Sequence, residues 1–122
     1  MDVIFSPQKS IKTIEVEKNY NIDNYMEGWS DLGYSVVRTH LKGKHPLMKN
    51  TISNRTYYII NGNGVFYANT KEYNVQTGDM ITIPKNTKYK FDGEFDAILI
   101  SNPAFNEKYD IIYTDDEKQD NE

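Results

Sequence analysis

Six side chains of this sequence have types suited to binding or transforming a small molecule: Arg38, His40, Lys49, Arg55, Tyr57 and Tyr89. In an extended strand, successive side chains point to opposite faces. Arg38 and His40 therefore share one face of the 34–41 segment, with Val37, Thr39 and Leu41 on the other. Arg55, Tyr57 and Ile59 likewise fall on one face of the next segment. Guanidinium groups hold carboxylates and phosphates through charge-assisted paired bonds. An imidazole and a phenol can act as general base and general acid, and a guanidinium can stabilise a developing negative charge.

Each residue also has a plainer role. Arg55 satisfies itself by pairing with an acid such as Asp79 or Glu94. Tyr57 and Tyr89 serve as core residues with one bonded hydroxyl. His40 acts as a structural donor or acceptor. His45, between Lys44 and Pro46, falls in an exposed loop, and Trp29 is a packing anchor or dimer contact.

The elements that position these residues read as strands. Tyr (10) and Phe (5) are plentiful alongside Ile, Val and Thr, the types that suit half-buried strands. Candidate strands are 11–16, 34–41, 56–60, 65–68, 71–75, 80–83, 88–91, 97–101 and 110–113. Glycine- and asparagine-rich turn signals separate them at 61–64, 68–70, 77–79, 84–86 and 92–93. The 19–30 segment has no clear period and reads as a loop or one helical turn. Short strands between frequent turns predict an all-β sandwich or barrel of jelly-roll type.

Composition narrows the function. With 122 residues the chain makes one domain. It has no cysteine, which excludes disulfides, thiolate metal sites and cysteine nucleophiles and fits a cytoplasmic location. No long apolar run predicts a membrane span, and the first ten residues lack the basic start and apolar stretch of an export leader. Residues 1–114 carry 13 Lys/Arg and 13 Asp/Glu, so the net charge of −4 belongs to the 115–122 tail, with five acids and one lysine. A neutral body and acidic tail argue against nucleic-acid binding, which needs clustered cations. The tail itself is expected to be solvated and disordered.

The spacing of Gly43, Lys49, Thr51, Arg55 and Gly62, followed by Gly78, Pro84 and Tyr89, resembles the two signature motifs of the cupin superfamily. The glycine and proline frame matches. The positions where the family places His, His, Glu and His read Lys49, Thr51, Arg55 and Tyr89. The resemblance implies a cupin-type double-stranded β-helix, or jelly-roll barrel, over 34–114, preceded by a strand-and-loop segment at 1–33 that packs on the barrel or on a dimer partner. It also implies that Arg55 and Tyr89 point into the barrel. Cations and neutral hydroxyls are poor ligands for a divalent ion, so no metal and no cofactor are expected. With Arg38 and His40 also facing inward, the lumen would suit an anionic or polyhydroxylated molecule such as a sugar, sugar phosphate or carboxylate, with Lys49 solvated and its stem across the mouth. Three functions stay open: a metal-independent small-molecule binder, a metal-independent carbohydrate isomerase or epimerase, and a structural protein with a filled barrel. The second is what resemblance to metal-free cupins with a His base and a Tyr acid implies, with His40 as the candidate base, Tyr57 or Tyr89 as the candidate acid, and Arg38 or Arg55 as the enolate stabiliser. A homodimer, paired through the edge of the 11–16 strand, is the expected assembly.

Overall fold

Three long strands carry the fold. In the computed structural model, which describes residues 3–26 and 30–113, these are β3 (Ser35–Asn50), β4 (Asn54–Ala68) and β7 (Tyr89–Asn102). Strands β1 (Thr13–Glu17) and β2 (Tyr20–Asn24) precede them. Strands β5 (Lys71–Gln76) and β6 (Met80–Ile83) lie between β4 and β7 in sequence, and β8 (Asp110–Ile112) follows. Every pairing is antiparallel, in the order β1-β2-β3-β7-β4-β5, with β6 also on β4 and β8 also on β3.

Strand β7 is the spine, with β3 on one side and β4 on the other along most of its length. The first half of β3 carries β2 and the second half carries β8. The first half of β4 carries β6 and the second half carries β5. Two lobes result, each built from one half of every long strand.

The line between the lobes runs through glycine. Gly43 pairs with Gly93, and Gly93 with Gly64, straight across the three strands. Gly43 and Gly93 have φ of 130° and 136°, a backbone conformation that side-chain-bearing residues rarely adopt. A Cβ on Gly93 would lie 2.5 Å from the Asn63 carbonyl oxygen and 2.6 Å from the Gly64 Cα. Backbone itself excludes a side chain there, and the sheet folds over along this line to bring the lobes face to face.

Side-chain parity decides what meets between them. Strand β3 buries Ser35, Val37, Thr39, Leu41 and His45, and β7 buries Tyr89, Phe91, Phe95, Ala97, Leu99 and Ser101. Strand β4 buries Arg55, Tyr57 and Ile59; after a register shift between Ile59 and Asn61 it buries Phe66 and Ala68. The Phe66 and Phe91 rings stack at 4.9 Å, with the Tyr57 ring 5.1 Å from the first and 5.7 Å from the second. Burial of each such ring contributes about 1.5–3 kcal/mol.

The strand map differs from the expected one in two respects. Segments 56–60 and 65–68 form one strand, as do 88–91 and 97–101, and the 34–41 strand runs on to Asn50. The turn signals at 61–64 and 92–93 are bends inside continuous ladders, since glycine lets a strand turn a corner while keeping its pairing. Strand β2 occupies part of the 19–30 segment expected to be a loop or helical turn. Its mostly polar sequence has weak strand preference, and pairing with β3 from Tyr20↔Leu41 to Asn24↔Val37 supplies what propensity does not. Within 1–33, β1 and β2 thus extend the same sheet. Strand order is open rather than a closed ring, with β1 and β5 at its ends. Trp29 and the 115–122 tail lie outside the described residues. Among the described residues, no helix is long and apolar enough to cross a membrane.

Candidate functional site

The lobes leave a cavity of about 290 Å³ between them. Val16, Ile22, Val37 and Leu99 give it apolar walls, and Glu17, Tyr20, His45, Arg55, Tyr57, Glu107 and Asp110 supply the polar groups. Size and lining fall at the small end of ligand pockets: largely apolar, with a few converging polar atoms.

Arg55 anchors the floor. Only 4% exposed, it donates from Nη2 to Asp110 Oδ1 at 2.8 Å and from Nη1 to the Tyr89 hydroxyl at 3.5 Å. Its Nε is buried without an acceptor among the described residues. Phe105 covers the guanidinium, with its ring centre 5.5 Å from Cζ. Burial works against the charge, but the Tyr89 and Tyr57 oxygens and the Asp110 carboxylate outweigh it and hold Arg55 protonated. The partner is therefore Asp110, not Asp79 or Glu94. Asp110 opens β8, which pairs with the second half of β3 and so brings its carboxylate under β4. Asn50 Nδ2 donates to the same Asp110 oxygen at 2.8 Å.

Tyr57 and Tyr89 form a buried phenol pair, hydroxyl to hydroxyl at 2.6 Å. Desolvation, then the neighbouring Tyr89 and Tyr20, push the Tyr57 phenol well above its usual range, so it is a proton carrier rather than a phenolate. Burial raises Tyr20 in the same way.

His45 is not in a loop. It is 4% exposed on β3, stacked on Phe91 at 4.5 Å and edge-on to Tyr20 at 4.8 Å. Its Nδ1 lies 2.8 Å from the Pro46 carbonyl oxygen. A carbonyl can only accept, so the neutral ring carries its proton on Nδ1 and the lone pair on Nε2.

Arg38 and His40 occupy the face opposite the cavity. Val37, Thr39 and Leu41 take the inward positions, and strand parity sends the two polar side chains outward. There His40 bridges two carboxylates, Nε2 to Asp23 Oδ2 at 2.8 Å and Nδ1 to Asp96 Oδ1 at 2.9 Å. Arg38 Nη2 donates to Asp96 Oδ2 at 3.3 Å, Asn61 Nδ2 to the same oxygen at 3.1 Å, and Thr13 Oγ1 to Asp23 Oδ1 at 2.5 Å. The cluster ties β1, β2, β3, β4 and β7 together. Lys49 is half-buried on β3 and Thr51 follows the strand; neither lines the cavity. Of the six residues singled out by type, the structure brings together Arg55, Tyr57 and Tyr89.

The His40 cluster makes stability depend on pH. Burial opposes the imidazolium, but hydrogen bonds and charge from Asp23 and Asp96 outweigh it and raise the pKa above 6.5. A folded value above the unfolded one means the contribution is complete below about pH 6.5 and fades as pH rises through the folded value. Asp23, held below 3.8 by Thr13, His40 and Arg38 against its own desolvation, has the opposite dependence and matters only in acid. The melting-temperature gap between the protein and its His40→Gln variant is expected to be widest near about pH 6 and to narrow by about pH 9. A gap that widens across this range would contradict the assignment.

Among the described residues that line the cavity, His45 is the one imidazole, the Asp110 carboxylate is bonded to the Arg55 guanidinium, and Glu17 and Glu107 are the further carboxylates. Among the described residues, no group of three or more His, Asp or Glu is arranged to hold a metal.

No protein-family model matches the sequence, and no curated protein sequence is significantly similar to it. Solved structures are similar. Pac13, described as a nucleoside dehydratase, matches with a TM-score of 0.82 and 27% identity over 92% of each chain. Streptomyces Pac13 variants solved with uridine match likewise. A Tyr-to-Phe variant gives 0.83 and 27% over 93% of this chain and 92% of its own. A His-to-Gln variant gives 0.83 and 26% over the same shares. Ectoine synthase from P. lautus shares the fold alone, with a TM-score of 0.79 and 17% identity over 92% of this chain and 91% of its own. The architecture is all-β and of the cupin type, and these neighbours act on small molecules.

Proposed function

We propose that this chain holds a nucleoside-like, hydroxyl-rich molecule in the cavity and removes water from it by metal-independent acid–base catalysis. One observation carries the reading: His45, with Nδ1 fixed on a carbonyl, and Tyr57, bonded to a second phenol, line the same small cavity. Similarity to a nucleoside dehydratase across most of both chains supports the substrate class.

Dehydration of a sugar needs a base for a C–H proton made acidic by a neighbouring carbonyl. It also needs an acid for the departing hydroxyl, so that water leaves and a double bond forms. His45 takes the carbon-bound proton on Nε2. Arg55 donates to the Tyr89 hydroxyl, which shares a hydrogen bond with Tyr57; in this reading Tyr89 is the donor of that bond, and the Tyr57 proton is left for the ligand. Tyr57 is then the acid and Tyr89 a positioning residue. The base role expected for His40 passes to His45, because His40 faces away from the cavity with both ring nitrogens engaged. An isomerase would use the same groups and return the proton to carbon, so release of water separates the two reactions. A homodimer remains part of this proposal, with the exposed Ile14 of edge strand β1 in its apolar contact.

Uridine is the probe. A ligand that binds only the folded state stabilises it by about 2.7 kcal/mol at roughly a hundredfold excess over Kd. A dose-dependent rise in melting temperature is expected, reduced in Tyr57→Phe. No shift at millimolar uridine would sink the nucleoside reading.

A further inference from the structure

Two carboxylates that line the cavity have no lysine or arginine partner among the described residues. Among the described residues that line it, Arg55 is the one Lys or Arg, and its charge is already answered by Asp110 at 2.8 Å. Glu17 on β1 and Glu107 on the one-turn 3-10 helix Glu107–Tyr109 line it as well, and neither is in an ion pair among the described residues. Arg38 and Lys49, the other cations once expected at the lumen, do not line the cavity. Glu17 and Glu107 are therefore the carboxylates of the lining that no Lys or Arg among the described residues answers.

We infer that the cavity selects an uncharged ligand over the same molecule bearing a phosphate, with Glu17 and Glu107 as the residues that set the preference. This deepens the nucleoside reading above and rests on it. Carboxylates accept hydrogen bonds from sugar hydroxyls, and the charge strengthens those bonds. The same carboxylates repel a phosphate dianion, Glu17 from a half-buried position and Glu107 from an exposed one where salt screens it. Repulsion of the wrong ligand is as effective a source of specificity as attraction of the right one. The anionic ligands that an arginine suggests are thereby disfavoured, because the arginine is already neutralised by its own partner. The reaction supplying this ligand would be one that leaves it unphosphorylated.

The test is calorimetric titration of the full chain with uridine and with uridine 5′-monophosphate, at low and high salt. Uridine is expected to bind at least about tenfold tighter at low salt, and the ratio should shrink as salt screens the carboxylates. In the Glu17→Gln/Glu107→Gln variant the ratio is expected to move toward unity. Equal or tighter binding of the monophosphate to the wild-type protein overturns the inference and leaves the nucleoside reading standing. A ratio unmoved by both salt and the double substitution removes Glu17 and Glu107 as its source and overturns it too. If neither compound binds, the nucleoside reading fails and the inference falls with it.

Discussion

Replacing His45 with glutamine is expected to slow loss of water from a carbonyl-activated nucleoside by about 10²–10⁴-fold, the usual contribution of a positioned general base. Uridine binding should change far less, so the loss falls on kcat rather than KM. Glutamine keeps much of the volume between Phe91 and Tyr20 and retains polar atoms, but no group that takes a proton near neutral pH. The imidazole is held on three sides, by Phe91 stacking at 4.5 Å, Tyr20 edge-on at 4.8 Å and the Pro46 carbonyl at 2.8 Å. Such restraint fixes Nε2 as the basic nitrogen. An unchanged kcat would place the base elsewhere. A parallel loss of binding and stability would make His45 a packing residue.

The second large effect is on stability. Asp110→Ala is expected to cost about 3–5 kcal/mol in urea unfolding, because it strands a buried guanidinium. Arg55 is 4% exposed and has no other carboxylate partner among the described residues, and Asn50 loses its acceptor at the same time. The double variant Arg55→Met/Asp110→Ala removes the stranded charge and should recover much of that loss, as expected when two substitutions share one interaction. A cost below about 1 kcal/mol for the single change would mean that water screens the pair as it does at a surface.

Much of the fold was legible because it rests on local signals. Strand β6 matches its expected 80–83 span, and β5 and β8 match to within a residue at one end. Glycines at 43, 62 and 93 were readable as special positions, but not as bends in paired strands, since a turn and a corner ask the same φ of the chain. Strand β2 was hidden because its polar residues are held by β3 rather than by their own preference.

The site was legible in part for a similar reason. Parity along β4 correctly grouped Arg55, Tyr57 and Ile59, all of which are buried. Parity along β3 grouped Arg38 with His40, but nothing local says which face of a strand turns inward. The apolar set Val37, Thr39 and Leu41 was the better guide: the same alternation continued through Gly43 reaches His45. Only at the register shift between His45 and Met48 does the buried face change to even positions. Asp110 was out of reach, since its approach to Arg55 across 55 residues depends on how β8 closes over β3.

The chain's two histidines allow a direct test, because one lines the cavity and the other faces away from it. Their imidazole resonances can be followed by NMR during a uridine titration, with His40→Gln providing the assignment. The His45 signal is predicted to move with uridine occupancy while the His40 signal stays in place. A titrating His40 signal beside a static His45 would contradict the placement of the ligand between the two lobes.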